Sequence, residues 1–244
     1  MIKNQHRKKG FTLVELSIVL VIMGLLVMGA MAGKEMIKAS ELNAIISEME
    51  AYKTAVDSFK TTYEGLPGDL KNATSYWTGG VTANGNGDGM IGNGAVTDDT
   101  EPYYAWDQLS LAKMIAGTYS GAGTSAVIGT NVPASKHFSL AGFSLSQISA
   151  PFSYTDALSR SFPANYLTFG ANHATDNALN GSALSPTDAS NIDSKIDDGT
   201  PDYGKLLGGL GSSASGTCTS GSAPSITYNF ANSGISCVIV LSID

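Results

Sequence analysis

The sequence predicts an α+β protein in which a long N-terminal helix packs against a C-terminal antiparallel sheet. Three features support this fold class: an apolar run at residues 11–32, an amphipathic stripe that follows it, and short strand-like segments separated by glycine-rich turns. We divide the 244 residues into a basic leader (1–10), an apolar helix (11–33), its amphipathic continuation (34–64) and a globular head (65–244).

The composition bounds the kinds of partner that the chain can have. Charged residues make up 14% of it and glycine contributes 28 residues, which indicates a loop-rich, weakly charged exterior. The formal net charge is −7, although Lys3, Arg7, Lys8 and Lys9 all precede the first acid, Glu15. Without the leader the chain is therefore more acidic still. Because an acidic surface does not neutralise phosphates, we exclude nucleic acid as a general partner.

The apolar run has the length of a membrane span. At about 1.5 Å per residue it forms roughly 33 Å of helix, which matches a bilayer core of about 30 Å. The apolar part of a secretory signal is shorter, about 7–15 residues, and is followed by a small-residue cleavage site. The basic residues before the run place the N-terminus in the cytoplasm and the remainder outside. The prediction is a single-pass anchor in the inner (cytoplasmic) membrane with an exported head.

Glu15 is the one ionisable side chain within this run. A carboxylate inside the hydrocarbon costs roughly 2.5–3.5 kcal/mol on insertion scales, and such groups are usually paired or functional. No cationic side chain lies one turn away in the helix. An α-amine at Phe11 would supply a partner, within one helix or between neighbouring chains.

The segment around Glu15 resembles the signature of type IV prepilins and type II secretion pseudopilins. Its sequence KKGFTLVE, at residues 8–15, combines a basic leader that ends in Gly10 with Phe11, with Glu15 at the fifth mature position and with a following apolar helix. The resemblance covers roughly the first quarter of the chain. It implies a pilin-like fold, with the long helix packed on the sheet of the head.

The resemblance also implies a processing and assembly pathway. A prepilin peptidase would cut between Gly10 and Phe11 and would methylate the amine of Phe11. Glu15 would neutralise the amine of an adjacent subunit during assembly. The implied partners are therefore this peptidase and methyltransferase, other pilin or pseudopilin subunits, and lipid of the inner membrane before assembly.

One departure from the family pattern concerns proline. Many pilins and major pseudopilins carry proline where this chain has Ala32, and none occurs here before Pro67. The helix should therefore be straighter, or should bend at one of its glycines. Gly29 and Gly33 form a GxxxG pair, a pattern that lets helices approach closely or has no special role.

Beyond the membrane segment an amphipathic stripe predicts that the helix continues to Tyr63. Its apolar members are spaced by three or four residues: Leu42, Ile45, Met49, Tyr52, Val56, Phe59 and Tyr63. Gly65 and Pro67 then end the helix. In a pilin-like chain we interpret this stripe as the half of the helix that packs against its own head.

Within the head, four shorter elements and a loop are predicted. The region from Thr78 to Gly94 is a solvent loop by composition. A first helix carries Trp106, Leu109, Ala112 and Ile115 and ends at Gly117. Two strands cover His137 to Leu145 and Asn165 to Phe169. A second helix has Ser185 as its N-cap, Pro186 as its first residue and Asp188 in a capping box, and it ends at Gly199.

The C-terminal region predicts a β-hairpin and a disulfide bond. The hairpin would join Ile226–Phe230 to Ser236–Ile243 through a turn at residues 231–234. Cys218 and Cys237 are the two cysteines, and without a nearby histidine they make a poor metal site. In an exported protein they favour a disulfide bond worth about 3 kcal/mol.

Two oxygen-rich segments are candidate calcium sites. The first places side-chain oxygens at alternate positions, as a calcium loop does, but has Ala95 where an EF-hand needs a bidentate Glu. Its ligands would be Asn84, Asn86 and Asp88. The second contains Asp193, Asp197 and Asp198, followed by Asp202. Any binding would be weak, on the order of 10⁻⁴–10⁻³ M, and the alternative is that both are solvated turns. No other cofactor is expected.

The sequence predicts no catalytic residues. Gly87–Gly92 satisfies GxGxxG but follows no predicted strand, the three histidines form no triad or zinc pattern, and no GxSxG motif occurs. We therefore expect a structural subunit of a filament rather than an enzyme. The missing proline and the junction GLPGD at residues 65–69 favour a pseudopilin of protein secretion, whereas the cysteine pair favours a pilin, in a major or minor role. A membrane-tethered calcium- or ligand-binding module that never polymerises is the alternative of another class.

Overall fold

A computed structural model describes residues 10–77, 83–92, 100–148, 164–173, 179–212, 214–222 and 225–244. The helices and strands are α1 (Leu13–Tyr63), α2 (Ala73–Tyr76), α3 (Glu101–Leu111), β1 (Ala141–Ile148), β2 (Ala164–Ala171), α4 (Pro186–Ile196), β3 (Leu206–Leu210), β4 (Thr219–Ser220), β5 (Thr227–Tyr228) and β6 (Cys237–Ser242). The chain forms two compact units, Met1–Glu41 and Leu42–Asp244.

In the first unit, α1 is apolar on all sides. Every side chain from residue 11 to residue 32 is exposed, and an 18-residue window of the helix has a mean hydropathy of 2.5. The helix passes through Gly24, Gly29 and Gly33 without a break, and a Cβ added at any of them meets no atom within 4 Å. The GxxxG pair is therefore open to a second helix. This length and apolar character are compatible with a single-pass membrane anchor.

In the second unit, one face of α1 is buried. Leu42, Ile45, Met49, Val56 and Phe59 lie in the core, as the three- and four-residue spacing predicts. The helix ends at Tyr63 because the next residue, Glu64, adopts a left-handed conformation with φ 56°. The amphipathic continuation of the helix is therefore confirmed.

The head contains a four-stranded antiparallel sheet in the order β1-β2-β6-β3. Phe143 of β1 pairs with Phe169 of β2 in register, and both side chains are buried. On α1, the ring of Tyr52 lies 5.0 Å from the ring of Phe143 and 5.1 Å from that of Trp106 in α3. The core thus joins α1, α3 and the sheet, and the α+β class is confirmed.

The predicted C-terminal hairpin is wrong. The two residues of β5, within the predicted first arm, pair with β4, while β6 lies between β2 and β3. The residues from Cys237 to Leu241 are all buried, as in a central strand with both faces covered. Residues 231–234, predicted as the hairpin turn, contact an earlier segment of the chain instead. The side-chain amide of Asn232 donates to the carbonyls of Ser215 and Thr217 at 3.0 and 2.9 Å.

The bounds of three other predicted elements shift. Helix α3 begins earlier, at Glu101, and ends at Leu111, because Lys113 adopts a left-handed conformation with φ 57°; Ala112 and Ile115 therefore lie beyond it. Strand β1 starts at Ala141 rather than at His137, since a turn closes from Phe138 to Ala141 at 3.1 Å. Both β1 and β2 extend past their predicted ends.

The predicted capping of α4 is confirmed. The hydroxyl of Ser185 accepts a hydrogen bond from the backbone N–H of Asp188 at 3.2 Å, and Pro186 is the first helical residue. The helix ends at Ile196, and Gly199 then adopts φ 78°. The S-x-x-D pattern predicts this start correctly because it satisfies an otherwise unpaired N–H of the first turn.

A disulfide bond joins Cys218 to Cys237. Both cysteines are fully buried, and the bond ties the segment before β4 to the first residue of β6. A closed loop with a sequence separation of 19 corresponds to about 3 kcal/mol of stabilisation.

The head buries two carboxyl groups whose environments favour the neutral form. Burial raises the pKa of Asp107, in α3, to about 6; its Oδ2 has no hydrogen-bond partner among the described residues. Burial also raises the pKa of Asp193, in α4, to about 6, although a hydrogen bond from Tyr228 acts in the opposite direction. The ordinary pKa of an aspartate is 3.8, so the folded head binds these protons more tightly than the unfolded chain does.

We predict that the head loses stability as the pH rises. The stabilisation from bound protons is complete below about pH 4 and is lost as the pH rises through about 6. Asp107→Asn, which cannot ionise, should stabilise the full chain in detergent at pH 8 by on the order of 2 kcal/mol and change little at pH 4. Thermal unfolding followed by near-ultraviolet circular dichroism measures this, with the exposed Asp57→Asn as control. Equal effects at both pH values would contradict the prediction.

Candidate functional site

The predicted cleavage position lies in exposed, non-helical chain ahead of α1. Gly10 and Phe11 are both exposed, and Phe11 keeps 88% of its surface accessible. Gly10 does not adopt a left-handed φ, and a Cβ added to it would meet no atom within 4 Å. Nothing within the described chain therefore requires glycine here. Any demand for a small residue would come from a protein that binds this segment.

Thr12 and Glu15 form a capping box at the start of α1. The Oε2 atom of Glu15 accepts hydrogen bonds from the backbone N–H of Thr12 at 2.8 Å and from its hydroxyl at 2.7 Å. The hydroxyl of Thr12 in turn accepts from the N–H of Glu15 at 3.2 Å. This reciprocal pair satisfies two N–H groups at the helix terminus, which the helix itself leaves unpaired.

The sequence contained this signal, since T-x-x-E at residues 12–15 is the capping-box pattern. The interpretation of Glu15 from the sequence, as a partner for an amine, does not include its role as a cap. The carboxylate serves the cap through one oxygen, and its Oε1 atom has no partner among the described residues. Oε1 therefore remains able to accept from a donor on another chain.

The side chains that follow Glu15 form a continuous apolar surface. Leu13 is 87% exposed, and large apolar side chains remain exposed as far as Ile37. Isolated soluble proteins rarely expose contiguous apolar areas above a few hundred Å². The helix surface therefore requires cover from lipid or from other apolar helices.

The first candidate calcium segment is part of a loop whose backbone is held by carboxylates. Asp69 accepts from the N–H groups of Gly87, Asp88 and Gly89, and Glu101 accepts from Asn86 and Gly92, both at 2.8 Å. Both acids are buried. The composition of the loop does not signal either anchor, because Asp69 lies in the turn before α2 and Glu101 is the first residue of α3.

The side chains of the three predicted ligands in this loop are hydrogen-bonded within the chain. The Oδ1 atom of Asn84 accepts from the N–H and the hydroxyl of Thr74, at 2.9 and 3.0 Å. The amide of Asn86 donates to Asp88, whose other oxygen accepts from the N–H of Met90 at 2.9 Å. Residues 93–99, including Ala95, lie outside the described residues.

The second candidate segment also uses its carboxylates on the chain itself. Asp193 accepts from the hydroxyl of Tyr228 at 2.8 Å and from the N–H of Gly199 at 3.2 Å. Asp197 accepts from the N–H groups of residues 205 and 206, and Asp198 from both donors of Thr200. Within the described ranges no three acidic, histidine or cysteine side chains are grouped so that they could hold a metal ion. Calcium binding stays a prediction.

Comparison with known families identifies the N-terminal segment. Residues 5–31 match the family model described as the prokaryotic N-terminal methylation motif. The matched residues include Gly10, Phe11, the Thr12–Glu15 cap and most of the apolar part of α1, while the head lies outside the match. No curated protein and no solved structure matches the chain. The N-terminal segment therefore carries the prokaryotic N-terminal methylation motif, which supports the resemblance to type IV prepilins and pseudopilins.

Proposed function

We propose that the chain is a structural subunit of a type IV pilus-like filament. A prepilin peptidase cuts it after Gly10 and methylates the new amine of Phe11. The observation that carries this proposal is the Thr12–Glu15 cap at the start of a fully exposed apolar helix, within the matched methylation motif. The subunit has a structural role rather than a catalytic one.

Assembly exchanges one apolar environment for another. Before assembly the apolar part of α1 lies in the inner membrane, with the N-terminus in the cytoplasm and the head outside. In the filament, the same surface packs against the helices of neighbouring subunits. The methylated amine of one Phe11 pairs with the Oε1 atom of Glu15 in a neighbour, which offsets the cost of a carboxylate among apolar helices.

Among filaments, a pseudopilus of a type II secretion-type system is our first candidate. The absence of proline before Pro67 and the GLPGD junction support it. A type IV pilus, with this chain as a major or minor pilin for adhesion, motility or DNA uptake, is the second candidate. The Cys218–Cys237 bond favours that alternative, since such a bridge is common among pilins.

The first test is the mass of the N-terminal peptide of protein extracted from native membranes. The proposal predicts a peptide that begins at Phe11 and is heavier by one methyl group. The control is another prepilin from the same cells, which shows that the peptidase is active. An intact leader beginning at Met1, alongside a processed control, would mean that the chain is a tethered exported domain.

Thr12 provides a test of how Glu15 is positioned. Thr12→Val keeps the side-chain shape but removes the hydroxyl that donates to Glu15, and losing such a cap costs about 1 kcal/mol. We expect normal cleavage but several-fold less cross-linked oligomer of the chain, measured by immunoblotting after chemical cross-linking of intact cells, a readout that does not require surface fibres. Thr12→Ser keeps the hydroxyl and should assemble like the wild type. Equal assembly of the valine and serine variants would show that the cap has no role.

Shearing of intact cells distinguishes the two candidate filaments. A pseudopilin is expected to remain with the envelope at its natural abundance, because a pseudopilus does not extend as a long surface fibre. Recovery of the chain in long sheared fibres, with an inner-membrane protein absent from the same fraction, would exclude the pseudopilin role and support the pilin role.

A further inference from the structure

A cleft of about 920 Å³ lies between the end of α1 and the loop at residues 83–92. We call it the α1-end cleft. It is lined by Lys60, Tyr63, Glu64, Gly65, Leu66, Asp69, Leu70, Lys71, Asn72, Tyr76, Gly87 and Gly89. Its volume is within the range of about 300–1,000 Å³ that is usual for sites that bind small ligands.

One wall of the α1-end cleft is aromatic. The rings of Tyr63 and Tyr76 meet edge to face, with centroids 5.0 Å apart and an interplanar angle of 77°. Trp77 packs against both rings, at 5.0 and 5.7 Å, and Phe59 supports Tyr63 at 4.5 Å. These contacts fix the rings, yet Tyr76 remains 50% exposed. A rigid, half-exposed ring provides apolar contact area at little entropic cost.

The other walls carry polar side chains that are not used by the fold. Lys60, Glu64, Lys71 and Asn72 make no side-chain hydrogen bond or ion pair with any described residue. The aliphatic part of the Lys71 side chain lies across Gly87. A Cβ added to residue 87 would collide with it, and the φ of 70° at this residue favours glycine. The side chain of Lys71 therefore lies against the backbone of the 83–92 loop.

These groups include both donors and acceptors. Lys60, Lys71 and Asn72 donate, whereas Glu64 accepts, and Asn72 does both. The charges in the α1-end cleft cancel, because two lysines stand beside Glu64 and Asp69. Asp69 is already engaged by the N–H groups of the 83–92 loop, so Glu64 is the carboxylate that remains able to accept from a ligand.

We propose that the α1-end cleft binds a neutral saccharide. Each sugar hydroxyl both donates and accepts, which matches this mixture of unpaired groups, and the C–H face of a pyranose stacks on Tyr76. A phosphate or an acidic peptide would meet two carboxylates along with the lysines. An apolar peptide would bury the side chains of Lys60, Glu64, Lys71 and Asn72 without hydrogen-bond partners, which would weaken its binding several-fold or more. The site does not depend on filament assembly.

The test is titration of the full chain with maltotriose, cellotriose and chitotriose in a detergent without a sugar headgroup, followed by tryptophan fluorescence. Trp77 reports on the site because it contacts both tyrosines. At least one trisaccharide should give a saturable change. Tyr76→Ala should weaken binding about tenfold, whereas Tyr76→Phe should retain it, since the ring and not the hydroxyl makes the contact. Glu64→Gln should weaken binding several-fold.

The matched control is Phe230→Ala, which removes an exposed aromatic ring outside the α1-end cleft and should bind as the wild type does. Saturable binding that Tyr76→Ala weakens and Phe230→Ala leaves unchanged supports the proposal. It is overturned if none of the three trisaccharides binds, if the Tyr76→Ala variant binds as the wild type does, or if inorganic phosphate or a hexaglutamate peptide binds in their place.

Discussion

The apolar stripe of α1 between Leu42 and Phe59 must be removed from water, and the head is organised around that requirement. Burying each of its large apolar side chains contributes about 1.5–3 kcal/mol, a contribution that is made only when the rest of the head covers the stripe. Tyr52 shows how the stripe organises its surroundings, because its ring touches both Trp106 of α3 and Phe143 of β1. Three elements that are distant in sequence therefore meet at one turn of the helix.

Acidic side chains have a common role in this chain, which is to accept hydrogen bonds from the backbone. Glu15 caps α1, Asp69 and Glu101 hold the 83–92 loop, and Asp197 holds the start of β3. Few lysines or arginines are present to pair with acids. Under that constraint, N–H groups are the available partners, and loops rich in glycine offer many of them close together.

The parts of the structure that could be predicted from sequence are those specified by local chemistry. The spacing of Leu42, Ile45 and Met49 predicted the buried face of α1, and Ser185 predicted the start of α4. The C-terminal pairing could not be predicted, because Asn232 and its neighbours look like a hairpin turn when only adjacent residues are considered. The partners of β6 lie up to about 75 residues earlier in the chain, a separation that turn chemistry does not report.

The functional residues also differ in whether the sequence alone could indicate them. Gly10, Phe11 and Glu15 could be recognised because the motif is contiguous, and the Thr12–Glu15 cap could have been recognised by the same reasoning. The α1-end cleft could not, because Tyr63, Tyr76 and Gly87 come from the end of a helix, a short helix and a loop. Nothing in their spacing along the chain indicates that they share one surface.

The position of β6 also constrains when the head can form. Its partners β2 and β3 both precede it in sequence, and β6 lies between them, so the sheet has a gap at its centre until β6 arrives. In any order of folding that follows the chain, β1, β2 and β3 are therefore present while this gap is still open. Completion of the sheet, and the bond from Cys237 to Cys218, wait for the same strand. Loss of β6 would thus remove the middle of the sheet rather than its edge, and would leave unpaired N–H and C=O groups along β2 and β3, where another chain could pair.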